Sequence, residues 1–558
     1  MRLLALPFAA RYMLFTLACM AAAAAATYGW LVPGQAPLAA ALGIVPALVA
    51  LLGFHDLFQR KHAILRNYPI VAHLRFLLEK VRPEIRQYFL EDDKDGMPFP
   101  RDKRAIVYQR AKRQLDKRPF GTQYNVYDGH FEWLHHSMAA KAPSKEHFRV
   151  RVGGPACTRP YDISVFNISA MSYGALSANA VLALNKGARM GGFAHDTGEG
   201  GLSPYHRRHG GDIIWELGSG YFGCRDDKGG FDIARFAETA VLDQIKMIEV
   251  KLSQGAKPGH GGVLPAAKIT REIARIRGVP RGQDCISPPY HSAFSTPRGL
   301  LAFIDSLRAA SGGKPTGFKL CVGHPWEVLA IVKAMLDTGV TPDFIVVDGK
   351  EGGTGAAPLE FMDHIGMPLR DGLALVHNAL VGAGLRDRIR IGASGKITSA
   401  FDMARVMALG ADWCNAARGF MFAVGCIQAQ QCHTGKCPTG VTAQAFSRRR
   451  AVVVSDKSVR VANYHKETLH ALAELVAAAG LDHPRDLRPE HFMRRNGSEA
   501  FVTYAELYRY LEPGELLRPE GPREARMRAW WDMAQPDTFA PRTHLDPPVI
   551  ATPQALAS

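Results

Sequence analysis

"FIVVDGKEGG", residues 344–353, is a short apolar run that ends on an acid and then breaks into glycines. A run that short suits a strand buried on both faces, and the glycines after Asp348 mark the loop leaving it. Seven other stretches follow the same plan: "DISVFNIS" (162–169), "GGFAHDTGE" (191–199), "DIIWELGSG" (212–220), "MIEVKLSQG" (247–255), "GFKLCVG" (317–323), "RIRIGASG" (388–395) and "DWCNAARG" (412–419). Helical stretches lie between them. Strand and helix alternating eight times over about 270 residues is the arithmetic of a (β/α)8 TIM barrel, so an α/β fold of that kind is expected. A doubly wound sheet is the other reading.

Such a barrel carries its chemistry at the C-terminal ends of the strands. There the sequence places "TGEGG", "KLSQGAKPGHGG", "DGKEGGTG", "GASGK" and "NAARG". Any one glycine cluster can be a tight turn. Several at successive strand ends point instead to backbone N–H groups gathered around a phosphate, and so to a phosphorylated cofactor. "DGKEGGTGAAP" falls short of the dinucleotide fingerprint G-x-G-x-x-G, with Pro358 in place of the third glycine.

After the eighth strand comes "GCIQAQQCHTGKCPTG" (425–440), which holds Cys426, Cys432 and Cys437, three of the nine cysteines in 558 residues. The other six are scattered singly, the usage of a reducing compartment, which disfavours a disulfide. The spacing is wider than the paired C-x-x-C of zinc sites, and His433 is awkwardly placed to share a metal with its neighbour Cys432. Three thiolates with Pro438 behind the last suit an iron–sulfur cluster lacking one iron. Zinc and structural accident remain as alternatives.

The composition, 47% apolar and 22% charged, excludes a disordered chain. A formal charge of +16 favours acidic partners: anionic lipid or an acidic electron carrier. Nucleic acid is set aside, because no dense Lys/Arg run with interleaved aromatics occurs. Residues 12–32 and 37–54 carry no charge and are separated by a few residues. They read as a transmembrane hairpin, with a signal peptide as the competing reading. Arg2 and Arg11 precede the pair and Arg60, Lys61, His62 and Arg66 follow it, so both ends, and the catalytic body, are expected on the cytoplasmic side of a multi-pass membrane protein. The expected segments are the hairpin (1–56), a helical lead-in containing "LRFLLEKVRPEIRQYF" (57–150), the barrel with its cysteines (151–450), and a C-terminal helical segment and tail (451–558), with a helix at 461–481.

The cysteine stretch resembles the iron–sulfur segment in the FMN domain of glutamate synthases. "ISAMSYGALS" (168–177), "TGEGG" (197–201), "SQGAKPGHGG" (253–262), "ISPPYHS" (286–292) and "GGTGAAP" (352–358) are similar to family segments in the same order, over roughly residues 150–445. The resemblance implies FMN, a [3Fe–4S] cluster on Cys426, Cys432 and Cys437, and reduction of the imine of 2-oxoglutarate and ammonia to L-glutamate. It implies cofactor contacts at Met171, Ser172, Lys251, Gly352, Gly353, Gly395 and Gly419. Lys396 stands where the family often has a second glycine; it either blocks backbone approach or, the reading favoured, adds a cation for the phosphate. A 2-oxo diacid falls to Glu199, Lys251, Gln254, Lys257 and Arg277, since carboxylates call for cations. Lys251 has a second reading as the ion-pair partner of Glu249, on the same face of its strand. Where the family reads G-E-G-G-Q, this chain has His260 and Val263, which puts the substrate in question. The chain opens on the apolar hairpin where a glutaminase domain would stand, so ammonia is expected free or from a separate subunit. A ferredoxin-type donor is expected. The alternatives are a barrel oxidoreductase for another 2-oxo or imino substrate, and a membrane-tethered electron-transfer subunit.

Overall fold

In the computed structural model, which describes residues 9–497 and 500–542, eight parallel strands close into a barrel. They are β1 (Phe166–Ile168), β2 (His195–Asp196), β3 (Ile213–Leu217), β4 (Ile245–Lys251), β5 (Thr316–Leu320), β6 (Phe344–Asp348), β7 (Arg390–Ser394) and β8 (Trp413–Ala416). β8 pairs with β1, Cys414 to Phe166, and so completes the ring. All eight expected strands are present, which settles the fold class against the doubly wound sheet. The first is divided. Tyr161–Ser164 pairs antiparallel with Arg149–Val152, and only the part after Val165 enters the barrel.

Period two along each strand sorts the barrel interior into layers. Ala194, Ile214, Met247 and Val346 belong to one buried apolar cluster, into which Val152 and Ile163 of the antiparallel hairpin also pack. Two residues further along the same strands come Asp196, Glu216, Glu249 and Asp348, and on β5 Lys319, all buried. The next pair of positions carries Gly198, Gly218 and Lys251, where the strands open into their loops. The barrel is therefore apolar at its base, charged in its middle, and lined with glycine and lysine at its mouth.

The chain divides into two compact units, Met1–Arg101 and Asp102–Ser558. In the first, α1 (Met13–Leu31) and α2 (Ala36–Phe58) are long and apolar enough to cross a membrane. The 19 residues of α1 span about 28 Å. Small residues set the distance between the two helices: a methyl on Gly29 would meet the Ala39 Cβ at 2.9 Å, and one on Gly43 the Ala25 Cβ at 3.1 Å. The lead-in helix runs Ala72–Ile85 and ends in a π-helical turn, Arg86–Leu90.

In the second unit the expected 461–481 helix runs instead from Val454 to Ala478. It stops before Gly480, which takes the left-handed conformation (φ 79°). It packs on the helix Ala178–Gly191, where Gly187 leaves room for Val461. Of the Pro- and Arg-rich tail, Ala525–Met533 is helical; residues 543–558 lie outside the described residues.

Candidate active site

A cavity opens at the C-terminal end of the barrel, lined by Met171, Ser172, Glu199, Gln254, Lys257 and Arg277, all expected site residues. Gly353 and Cys432 also reach it. Its walls come from the loops after β1, β2, β4, β6 and β8, as the barrel fold requires.

Glu199 is the centre of charge. Its carboxylate lies 3.0 Å from Lys251 Nζ, and it rests on backbone that has no side chains to displace it. A Cβ on Gly262 would meet Glu199 Oε1 at 2.1 Å, and one on Gly218 would meet its Cβ at 2.7 Å. Burial alone would raise the pKa of this acid, but Lys251, Arg277 and Lys257 together hold it below the ordinary range. Lys257 is 2% exposed, and burial lowers it to about 8 although Glu199 pulls the other way. Lys251 thus pairs with Glu199, while Glu249, in the layer below, pairs with Lys319 at 2.9 Å.

Arg277 arrives from the helix Arg271–Arg277, which Thr270 caps by accepting from the Ile273 N–H at 3.2 Å. Its guanidinium donates to Ser172 Oγ at 3.1 Å and lies 5.1 Å over the Phe222 ring. These contacts fix a cation at the rim while leaving its Nε, buried, without a hydrogen-bond partner. Val263 lines the cavity from a two-stranded ribbon in which it pairs with Ile286. His260 is turned away: its Nδ1 meets the Gly261 carbonyl and its ring packs edge-on to Phe361.

The glycines divide. Gly353 lines the cavity, while Gly352 holds the turn by donating its N–H to the Gly349 carbonyl at 2.8 Å. Gly395 has φ 148°, and Lys396, exposed, follows in the left-handed region. Gly419 lies beneath Tyr464, whose hydroxyl a Cβ would meet at 2.6 Å. Gly352, Gly395, Lys396 and Gly419 do not line the cavity.

Three residues that sequence reasoning passed over do line it. Arg418 donates to the Thr354 carbonyl at 2.6 Å and so ties the β8 loop to the glycine loop after β6. The signal for Arg418 in the sequence is its place in "NAARG", beside the glycine of a strand-end loop. Lys268, 2% exposed, donates to the carbonyls of Ala175 (2.7 Å) and Cys432 (3.1 Å). Glu216 reaches the cavity floor from β3.

The cysteine loop borders the same cavity through Cys432 and His433. Gln428 and Gln430 take left-handed backbone conformations that fold the loop back on itself, and the Gln428 N–H approaches Cys426 Sγ at 3.5 Å. Burial raises the Cys426 thiol to about 11. At Cys437 burial acts in the same direction, but hydrogen bonds from Thr439 and Thr442 outweigh it and lower the thiol. Three thiols on one folded loop, with N–H and hydroxyl groups directed at sulfur, form a donor set that fits an iron–sulfur cluster. The glycine loop, Arg418 and the mouth lysines fit a flavin phosphate and ring in the same way.

Residues 153–482 match a family model described as the conserved region in glutamate synthase. The chain is 37% identical over 502 residues to a glutamate synthase large subunit-like protein, YerD, of Bacillus subtilis, covering 83% of this chain and 95% of that one. It is 38% identical over 323 residues to an archaeal glutamate synthase (NADPH) of Methanocaldococcus jannaschii, of which it spans 60%. Against the glutamate synthase (NADPH) large chain of Azospirillum brasilense the identity is 32% over 316 residues, 20% of that protein.

Proposed function

We propose, because the chain belongs to the glutamate synthase family, that it reduces the imine of 2-oxoglutarate and ammonia to L-glutamate. The observation that carries this reading is that Lys257 and Arg277 line one cavity beside Glu199, whose carboxylate also holds Lys251 at 3.0 Å. An excess of cations at a barrel mouth suits a substrate with two carboxylates. Bound FMN would supply hydride at this cavity, and a cluster on Cys426, Cys432 and Cys437 would supply electrons singly.

The chain's own residues do the rest. Arg277 and Lys257 hold the carboxylates; Gln254 offers an amide to the forming nitrogen; Glu199 holds Lys251 in place. Met171 and Ser172 shape the wall at the ring, and the Gly353 loop with Arg418 faces the phosphate. Burial of these groups strengthens each interaction by excluding water.

The donor we favour is an acidic ferredoxin-type carrier, in keeping with the charge of +16. NADPH, the donor in the names of the archaeal and Azospirillum relatives, is the second candidate. We further propose that α1 and α2 form a membrane hairpin with the barrel on the cytoplasmic side. Val263, apolar in the cavity wall, supports a second reading in which the enzyme takes a different 2-oxo or imino acid.

The deciding experiment is anaerobic photoreduction of the detergent-purified protein, followed by 2-oxoglutarate with ammonium. Reoxidation of the flavin with formation of glutamate supports the proposal. A flavin that stays reduced turns the search to other 2-oxo acids, and no flavin at all overturns it.

A further inference from the structure

The middle layer of the barrel holds four carboxyl groups, Asp196, Glu216, Glu249 and Asp348, against one ammonium, Lys319. Lys319 Nζ contacts Glu216 and stands 2.9 Å from Glu249 Oε1. Oxygens of Asp196, Glu216 and Glu249 lie within 4.8 Å of one another, and the cation among them is Lys319 itself, so a metal ion is not called for. Asp348 is the best satisfied, accepting from Ser394 Oγ and, at 2.7 Å, from the Gly255 N–H. Asp196 accepts from the Gly198 N–H at 2.9 Å. Glu249 is 0% exposed, and neither of its oxygens accepts a well-aligned hydrogen bond. Another full negative charge so close to Asp196 and Glu216 is costly there; one proton shared between Glu249 and Asp196 relieves it.

We propose that this cluster stores a proton shared by Asp196 and Glu249, and that Glu216, the one member lining the cavity, passes it to the substrate. The step rests on the function proposed above. Ammonia added to a 2-oxo acid gives a carbinolamine. Its hydroxyl takes the proton from Glu216, the C–O bond breaks, and water leaves. The nitrogen lone pair forms the C=N bond that is then reduced. No electrons change hands in this step; one proton moves from the cluster to water, and Glu216 is recharged from the Asp196–Glu249 pair. Burial, with Glu216 as a like-charged neighbour, raises the pKa of both Asp196 and Glu249 against the pull of Lys319; Glu249 raises Asp196 further, while hydrogen bonding with Asp196 lowers Glu249. Lys251 and Glu199 stand one layer above, and neither contacts the cluster by an ion pair.

Infrared spectroscopy of the full-length protein in detergent, without substrate, tests the store. A carbonyl stretch of a protonated carboxylic acid is expected near neutral pH, shifted in D2O. It should fade on titration from about pH 6 to about pH 8, either side of the about 7 to which burial lifts Glu249, and vanish in Glu249→Gln or Asp196→Asn. Absence of the band in wild type across that range overturns the inference, as does a band unchanged in both variants. The wild-type titration requires no variant to fold. Glu216→Gln tests delivery: turnover should fall about 10²-fold or more with KM retained, and the pH profile should flatten. A fall in affinity with turnover intact would assign Glu216 to substrate binding and overturn the delivery role. If the band behaves as expected but wild type forms no glutamate, the store stands and the proposed substrate falls.

Discussion

Lys251 Nζ stands 3.0 Å from Glu199 Oε2, across the mouth of the barrel, and not beside Glu249, its neighbour two residues back on the same strand. Rise along the strand puts the two in different layers: Lys251 pairs with Glu199, while Glu249 meets Lys319, which it shares with Glu216. The upper pair serves the cavity and the lower pair the interior.

Breaking the upper pair should therefore damage chemistry more than folding. Lys251→Met is expected to lower turnover at least about 10²-fold. Its cost in stability should fall short of the about 3–5 kcal/mol typical of a broken buried pair, because Arg277 and Lys257 still face Glu199. Glu199→Gln with Lys251→Met should restore stability and leave activity lost. Urea unfolding beside steady-state rates separates the two effects.

Lys257 gives a pH dependence with a definite sign. Its folded pKa, about 8, is below the ordinary 10.5, so between those values the unfolded chain holds a proton that the folded protein has released. Stability from this residue rises with pH across that window. The ammonium proposed to face a substrate carboxylate is lost in the same window. KM for the 2-oxo acid should rise above about pH 8, and Lys257→Arg should keep it flat to higher pH.

The barrel was legible because its strands are short, apolar and closed by glycine, a pattern set by period and turn chemistry alone. At the site, Lys257 and Arg277 came from the family resemblance and both line the cavity, as does Cys432 of the three cysteines. Glu216, Lys319 and Asp196 were not legible, since a charge in an apolar strand shows its partner only after the barrel closes and brings five strands to one axis. Arg418 and Lys268 were missed for the same reason: both act through backbone carbonyls far away in sequence, Thr354 and Cys432. The first strand was read too long because alternation continues through Val165 while the chain changes partners.

Val263 sets substrate choice in this reading. Val263→Gln places an amide in the wall and is expected to shift the ratio of kcat/KM between 2-oxoglutarate and a monocarboxylic 2-oxo acid by about 10- to 100-fold. The diacid should gain. An unchanged ratio would place the discriminating contact elsewhere on the cavity wall.

The hairpin makes a topological prediction. A reporter active only in the cytoplasm should work when fused at either end of the chain, and the protein should resist extraction from membranes by alkaline carbonate. Gly43→Leu, which drives a side chain into Ala25, should weaken the packing of α1 on α2 and lower yield in the membrane without changing the absorbance of cofactors in what remains.

The cysteines carry the sharpest test, because the three differ in setting. Cys437 is held toward thiolate by Thr439 and Thr442, Cys426 is raised by burial, and Cys432 alone lines the cavity. On the proposed ligand set, each Cys→Ser variant should lose the iron and its electron paramagnetic signal while keeping flavin, since sulfur would be the ligand and the glycine loop after β6 is untouched. Thr439→Val should retain iron but shift the potential of the cluster downward, as removing a hydroxyl directed at sulfur disfavours the added electron. A Cys432→Ser protein with full iron content would remove Cys432 from the ligand set and with it the direct contact between cluster and cavity.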